Sequence, residues 1–211
     1  IGFYKRFTAA NSSGGQNSFV LVKQYSFDEK EYLFKLDITI DGDKNMNGLS
    51  FGNAAYTLRT SPQIGPYYNP KFDRFMFFSR EKLKKLNLSD GNIKTFDKGF
   101  SWAGVAGKYF TQQIVPPSLQ SPVIQAAYYS TKNRIDNFQD AQLFLVRSPI
   151  SGSFVTDSYY VYMGPKVEKN VGIYNNAAEN NWKLANLRLD ESLGSGWLAC
   201  LETFLNFLME F

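Results

Sequence analysis

The most regular alternation of hydrophobic and polar residues runs from position 32 to position 40. Its apolar members are Tyr32, Phe34, Leu36, Ile38 and Ile40, its polar members are Lys35, Asp37 and Thr39, and Leu33 is the single exception. Successive side chains of a β-strand point to opposite faces. This period of two therefore predicts a strand with one face on a core and the other toward water.

Shorter apolar or aromatic runs recur along the chain between clusters of Pro, Gly, Asn and Ser, such as residues 61–66. They predict further strands at residues 19–25, 56–59, 72–78, 123–129, 142–146 and 158–163. Asp90 and Gly91, just after Leu86 and Leu88, predict a hairpin turn before Ile93. Many short strands with regular turns indicate a mainly β fold, a large antiparallel β-sandwich or barrel with helix confined to the last third.

The last third of the chain changes its period. Val167, Val171 and Tyr174 follow a helical spacing, and Pro165 suits the first position of a helix. Residues 197–211 form a second candidate helix, in which the polar residues Glu202, Asn206 and Glu210 recur every four positions and nearly everything else is apolar. As a helix this segment would be about 22 Å long, too short for a hydrocarbon core of about 30 Å. We therefore expect it to lie on a surface. Its apolar face contains Trp197, Leu198, Leu201, Phe204, Leu205, Leu208 and Phe211.

Composition supports the prediction of a sheet and argues against nucleic acid as a partner. Aromatic residues make up 17% of the 211 residues, and aromatic side chains suit a pleated, half-buried surface. The formal net charge is +4. The densest basic stretch holds only Lys82, Lys84 and Lys85. A nucleic-acid footprint needs a more concentrated basic stripe, so we interpret this stretch as a solvated face.

The residues offer no catalytic centre. Histidine is absent, which excludes Ser-His-Asp and Cys-His nucleophile systems and His-bearing zinc sites. The lone cysteine, Cys200, cannot form a disulfide within the chain and lies in an apolar run. The carboxylates of Asp28, Glu29 and Glu31 flank Lys30 in a predicted turn and are interpreted as a solvated loop. We expect no enzyme activity, no cofactor and no metal.

Residues 101–116, SWAGVAGKYFTQQIVP, resemble a signature of the periplasmic domain of YidC-type membrane protein insertases. The shared residues are Trp102, Lys108, Tyr109, Phe110 and Pro116. Gly104 and Gly107 disfavour a helix, so we expect a strand, a turn near Gly107 and a second strand. The expected role of the motif is structural, with Trp102, Tyr109 and Phe110 anchored in the core.

A second stretch strengthens the resemblance. Gly164, Pro165 and Lys166 close a strand as in the family, and Gly196-Trp197-Leu198 then leads into the amphipathic segment. Residues 56–66 resemble the family more weakly. The tail departs from many members at Phe204, where they have Pro, and Glu202 and Glu210 make its polar stripe acidic.

The resemblance implies a large β-sandwich of the supersandwich, mutarotase-like type, on the periplasmic side of the bacterial inner membrane. It divides the chain into a sandwich at 1–185 and a linker with amphipathic helix at 186–211, ahead of a membrane-spanning core. It implies a non-catalytic domain that assists insertion and folding of membrane proteins. The implied partners are the Sec translocon with its accessory subunits, nascent membrane proteins and the membrane surface.

Two other kinds of protein remain open at this point. A β-sandwich rich in aromatic residues could be a carbohydrate-binding module of a secreted or surface protein, because such modules need no histidine. An adhesin or lipoprotein domain is the other alternative. A glycan-binding screen separates the first from an insertase domain, and a stop codon soon after Phe211 would favour the second.

Overall fold

The computed structural model describes residues 1–10, 15–43, 46, 48–60, 74–79, 82–86, 91, 93–97, 99–117, 123–132 and 139–193. Within these residues the chain forms twelve strands in two antiparallel sheets. The strands are β1 (Gly2–Ala10), β2 (Gln16–Phe27), β3 (Leu33–Gly42), β4 (Tyr56–Arg59), β5 (Arg74–Ser79), β6 (Lys82–Leu86), β7 (Ile93–Asp97), β8 (Trp102–Ala106), β9 (Phe110–Val115), β10 (Val123–Lys132), β11 (Gln139–Arg147) and β12 (Phe154–Pro165). The prediction of a mainly β, antiparallel sandwich is confirmed.

The large sheet has eight strands in the order β1-β2-β3-β12-β9-β8-β5-β6, and the small sheet has four in the order β4-β11-β10-β7. Strand β12 lies at the centre of the large sheet. It pairs with β3 on one side and with β9 on the other. Strands distant in sequence are thereby joined, and the start of the chain is tied to its last third.

The main core lies between the sheets and follows from the alternation within their strands. Its large-sheet members include Leu36, Ile38 and Val161, and the small sheet contributes Tyr128 and Leu143. All are buried. Tyr128 also makes a hydrogen bond with the backbone of Gly104, so a polar contact joins the two sheets across the apolar core.

A polar cluster lies within this layer of side chains. Arg147 Nε and Nη2 donate to the two carboxylate oxygens of Asp157, at 2.9 and 3.3 Å. The hydroxyl of Tyr56 donates to Asp157 Oδ2 at 2.6 Å and lies 2.9 Å from the hydroxyl of Tyr159. Arg147 and Asp157 are both buried. Their charges are therefore paired with each other and hydrogen-bonded, as buried charges must be.

Strand β3 shows why Leu33 broke the predicted alternation. Leu36, Ile38 and Ile40 are buried on one face, as expected. Leu33 is also fully buried, but it belongs to a second hydrophobic cluster on the opposite face of the sheet. Tyr32 precedes the strand and is half exposed, so the prediction that it shares the buried face is wrong.

The second cluster exists because the C-terminal part of the chain covers the outer face of the large sheet. After β12 the chain forms one α-helical turn, α1 (Glu168–Val171), continued by a 3-10 turn, Gly172–Asn175. A second 3-10 turn follows at Leu189–Leu193. Val171, Tyr174 and Leu189 are fully buried, together with Leu33, Trp102 and Tyr162 of the sheet.

Two local predictions need correction. Pro165 does not open the helix; it is the last residue of β12 and pairs with Phe110 of β9. Gly91 does not lie in a hairpin, because β6 pairs with β5 in the large sheet and β7 pairs with β10 in the small sheet. The chain changes sheets between β6 and β7, and local turn chemistry carries no information on that change.

Candidate functional site: the capped face of the large sheet

Residues 166–193, called here the C-terminal cap, form the covering of the outer face. The cap begins where the backbone N–H of Lys166 donates to the carbonyl oxygen of Tyr109, at 2.7 Å. Its apolar side chains, among them Val171, Tyr174 and Leu189, point onto the sheet and are fully buried. Packing of this kind fixes the last described residues of the chain on the sandwich.

Side chains of both sheet and cap hold the two layers together through backbone groups. The indole N–H of Trp102 donates to the carbonyl oxygen of Arg188 at 3.2 Å, and Gln113 Nε2 donates to that of Leu189 at 3.0 Å. In the other direction, the indole N–H of Trp182 donates to the carbonyl oxygen of Leu33 at 3.1 Å. The motif residue Trp102 thus has the structural role predicted for it, as a buried anchor of the cap.

Asn180 organises the loop inside the cap. Its Nδ2 donates to the carbonyl oxygens of Ile173, Asn176 and Leu184, at 2.8 to 3.1 Å. Its Oδ1 accepts from the backbone N–H of Leu184 at 2.9 Å. The side chain is buried, and buried backbone groups need hydrogen-bond partners. The Asn180 amide supplies partners for three carbonyl oxygens and one N–H that would otherwise need water.

A second asparagine, Asn175, connects the two ends of the loop within the cap. Asn175 Oδ1 accepts from the backbone N–H of Arg188 at 2.8 Å, and its Nδ2 donates to Asp190 at 2.9 Å. The residues in between include Lys183, Asn186 and Arg188 with φ of 56°, 59° and 55°. Non-glycine residues rarely adopt positive φ, so this loop is held in shape by its hydrogen bonds rather than by local preference.

The second family motif lies where the cap leaves the sheet. Gly164 is buried beneath the ring of Tyr32, and Pro165 offers its carbonyl oxygen to the hydroxyl of Tyr162 at 2.6 Å. Burial raises the pKa of Tyr162 above its usual range, and burial followed by the nearby Glu31 carboxylate does the same to the pKa of Tyr174. Both phenols therefore act as neutral hydroxyls beneath the cap.

A pocket of about 490 Å³ opens at the rim of the cap, between residues 184–187 and the sheet. Its walls are mainly apolar and include Phe100, Val115, Pro116, Tyr160 and Leu187. Pro116, the last residue of the first motif, is buried here. The pocket offers few polar groups and fits an apolar group better than a charged one.

Other residues of the first motif do not lie in the core. Tyr109 is 64% exposed and Phe110 is 50% exposed, so the expectation that they anchor the core is wrong. Tyr109 stands on the turn between β8 and β9, and Phe110 is the first residue of β9; the N–H of Gly107 donates to the carbonyl oxygen of Phe110 at 2.9 Å. Lys108 is exposed on the same turn, with its ammonium 4.7 Å from the centre of the Tyr109 ring. The expected strand, turn and strand are confirmed.

The proposed apolar face of residues 197–211 lies outside the described residues, as does Cys200. The cap itself was missed by sequence reasoning beyond its first helix. Its organising residues, Asn175, Asn180 and Trp182, stand in a stretch rich in asparagine that reads as an ordinary loop. A tryptophan inside such a stretch was the one signal of a buried segment.

The chemistry of this face is that of binding and positioning. In the part of the chain that the structure describes, no group of three or more His, Cys, Asp or Glu residues could hold a metal ion. Partial burial, and secondly the Asp190 carboxylate, raise the pKa of Glu168 in α1. Among the described helices, none has the length and apolar character needed to cross a bilayer.

Comparison with known proteins agrees with both motifs. The family model of the YidC periplasmic domain matches residues 6–208. The chain is 40% identical over 217 residues to the membrane protein insertase YidC of Treponema denticola, and 30% identical over 246 residues to that of Treponema pallidum. These alignments cover 100% and 99% of this chain but only 37% and 39% of the two relatives.

Proposed function

The chain belongs to the family of YidC periplasmic domains, and we propose that it is the non-catalytic extracytoplasmic part of a membrane protein insertase. In this proposal it resides on the periplasmic side of the bacterial inner membrane. It assists the insertion and folding of membrane proteins that pass through the rest of the parent protein, alone or with the Sec translocon and its accessory subunits.

The observation that carries the proposal is the attachment of the cap. Trp102 and Gln113 bind the carbonyl oxygens of Arg188 and Leu189, only a few residues before the amphipathic segment 197–211. Because the sandwich holds the C-terminal cap through these hydrogen bonds, it can set the position of the residues that follow the cap. We therefore propose that the domain positions residues 197–211 at the membrane surface, beside the insertase core.

This role needs residues 1–193 to act as one body and residues 197–211 to act as the contact. The division of the chain at residue 186 is kept as part of this proposal. The linker would begin at residue 186, and its first residues, which include Arg188 and Leu189, are still hydrogen-bonded to the sheet. The contact face would consist of Trp197, Leu198, Leu201, Phe204, Leu205, Leu208 and Phe211. A carbohydrate-binding role has no comparable support, because Trp102, the large aromatic residue of the first motif, is buried and anchors the cap.

The proposal is tested with Leu201→Glu combined with Leu205→Glu in the full-length insertase. Each large apolar side chain contributes about 1.5–3 kcal/mol on burial, so two carboxylates should remove most of the contact. We expect reduced insertion of a dependent membrane protein, measured by protease protection, with the sandwich still folded by circular dichroism. The matched control, Glu202→Gln with Asn206→Gln, changes only the polar stripe. Full insertion by the double Glu variant would refute the proposal.

A further inference from the structure

The exposed part of the first motif lies beside the end of β12, since Phe110 pairs with Pro165 and the N–H of Lys166 donates to Tyr109. We call Lys108, Tyr109, Phe110, Met163 and Val167 the strand-end patch. Tyr109, Phe110, Met163 and Val167 are 64%, 50%, 49% and 45% exposed. In the register of β9 and β12, Phe110 pairs with Pro165. Two residues away on each strand, Gln112 pairs with Met163. Phe110 and Met163 therefore project from adjoining strands on the same face.

The patch contributes little to the fold. Its four apolar side chains leave about half or more of their surface in water, whereas Trp102 of the same motif is fully buried. Aromatic and aliphatic side chains next to lysine, on a turn that projects from a sheet, have the composition of a surface that sits at a membrane–water boundary. Scattered exposed apolar residues need no explanation, but a group on neighbouring backbone segments at one strand end indicates a contact.

The patch lies at the end of the domain from which the chain departs. Lys166 is bonded to Tyr109 and stands two residues before α1. Asn175 binds Asp190, and Val171 packs in one cluster with Leu189. The turn Leu189–Leu193 is thereby held beside α1. The last described residues and the strand-end patch consequently share one end of the molecule.

The charges at this end favour an anionic surface. Lys108, Lys166 and Lys169 come from the patch, its flank and the first turn of the cap, beside the carboxylate of Glu168. The two carboxylates of the neighbouring 3-10 turn are bound within the cap, Asp190 by Asn175 and Glu191 by Arg188. A lysine beside exposed aromatic rings can pair with lipid headgroups while the rings enter the interface.

We propose that the strand-end patch binds the headgroup region of an anionic lipid bilayer, as a second membrane contact beside residues 197–211. This inference rests on the proposed function, which puts the domain next to a membrane. Single weak anchors bind membranes only marginally, and two together bind stably. Two contacts would also fix the orientation of the sandwich relative to the bilayer, which a single contact cannot do.

The test measures contact at named positions on the full chain. In a Cys200→Ser background, an environment-sensitive fluorophore is attached to Tyr109→Cys, to Leu205→Cys or to Phe154→Cys. Phe154 is the matched control, since it is 64% exposed like Tyr109 but stands at the other end of β12, about 35 Å away. The probe is a vesicle of phosphatidylethanolamine and phosphatidylglycerol, with brominated lipids to quench inserted fluorophores.

We expect a blue shift and quenching at position 109 and none at position 154. A silent position 109 with a responding position 205 would overturn the patch contact and leave the proposed function standing. Silence at both would overturn both. A response at position 109 that requires vesicles containing the Sec translocon would overturn the lipid contact in favour of a protein partner.

Affinity gives an independent readout. Tyr109→Ser with Phe110→Ser should weaken vesicle binding in co-flotation by about tenfold, because two half-buried rings leave the interface. Phe154→Ser should change it less than twofold. Unchanged binding by the double variant, with native circular dichroism, would contradict the proposal.

Discussion

Gly164 lies directly beneath the ring of Tyr32, so close that a Cβ atom at position 164 would be 2.6 Å from Tyr32 Cβ and Cγ. This contact explains the glycine of the second motif in physical terms. The ring of Tyr32 also stands edge-on to Tyr162, whose hydroxyl binds the carbonyl oxygen of Pro165. The glycine therefore lets the start of β3 close over the point where the cap begins.

The first prediction compares two glycines. Gly164→Ala should destabilise the domain by about 1–3 kcal/mol through overpacking against Tyr32. Because Tyr32 is half exposed and its ring can move, Tyr32→Ala in the same chain should recover most of this loss. Gly104→Ala should cost more, since its Cβ would overlap the backbone carbonyl oxygen of Gln112, which cannot move alone. Urea unfolding of the three variants measures the differences, and equal costs at both glycines would contradict this account.

The second prediction concerns the buried ion pair. Removing one partner with Asp157→Ala leaves the Arg147 guanidinium without its carboxylate and should cost about 3–5 kcal/mol. The partly exposed pair Lys35–Asp37, at 2.9 Å, is the matched control, and Lys35→Met should cost less than about 1 kcal/mol. Replacement of both buried charges, Arg147→Met with Asp157→Leu, should be milder than Asp157→Ala alone. A double variant as unstable as the single one would argue against the charge-desolvation account.

The third prediction concerns Asn180. In Asn180→Asp a carboxylate oxygen replaces the amide that donates to three carbonyl oxygens. The carboxylate oxygen would then face carbonyl oxygens, all of them acceptors, in a buried site. The free energy of unfolding should therefore fall by more than in Asn180→Ala, for which we expect a loss of about 2–3 kcal/mol. Hydrogen exchange should show faster opening of residues 173–187 while β3 and β12 stay protected. Uniform loss of protection across the sheet would show that the cap is no separate unit.

The fourth prediction is a loss of stability in alkali. Burial is the largest cause that raises the pKa of each of five tyrosines above the usual value: Tyr56, Tyr128, Tyr159, Tyr162 and Tyr174. The unfolded chain releases these protons near pH 10, but the folded chain retains them. The free energy of unfolding should therefore be unaffected below about pH 10 and fall above it, by up to about 1.4 kcal/mol per pH unit for each such tyrosine.

The alkaline loss is measured by urea unfolding at several pH values around the tyrosine pKa. Tyr128→Phe should make the slope above pH 10 shallower, because one buried phenol no longer ionises on unfolding. Leu143→Ala removes a buried side chain that does not titrate, so it should lower stability at every pH without changing that slope. An unchanged slope in Tyr128→Phe would show that Tyr128 ionises in the folded state.

The strands were predictable from sequence where one pattern governs them. The period of two located β3, and the glycines between Trp102 and Phe110 correctly predicted two strands and a turn. Leu33 broke the pattern because its own face is covered by a segment about 150 residues further along the chain. No local period carries that information.

The candidate site was predictable only in part, for a similar reason. Trp102 was correctly expected to be buried, but Tyr109 and Phe110 were assigned to the core because large aromatic residues usually lie there. Both stand where β9 begins, and exposure at the end of a strand depends on what packs there and not on the local sequence. The hydrogen bonds of Asn180 depend on a loop with several positive φ values, and residue preferences do not favour such a loop.

The anchoring of the cap has a mechanical consequence. A pull on the chain beyond Leu193 would load the bond from Asn175 to Asp190, and then the bonds from Trp102 and Gln113 to the carbonyl oxygens of Arg188 and Leu189. Those two side chains belong to β8 and β9, inside the large sheet. Tension would therefore pass into the interior of the sheet instead of separating its edge strand, and the sandwich would follow movements of the residues after Leu193 as one body.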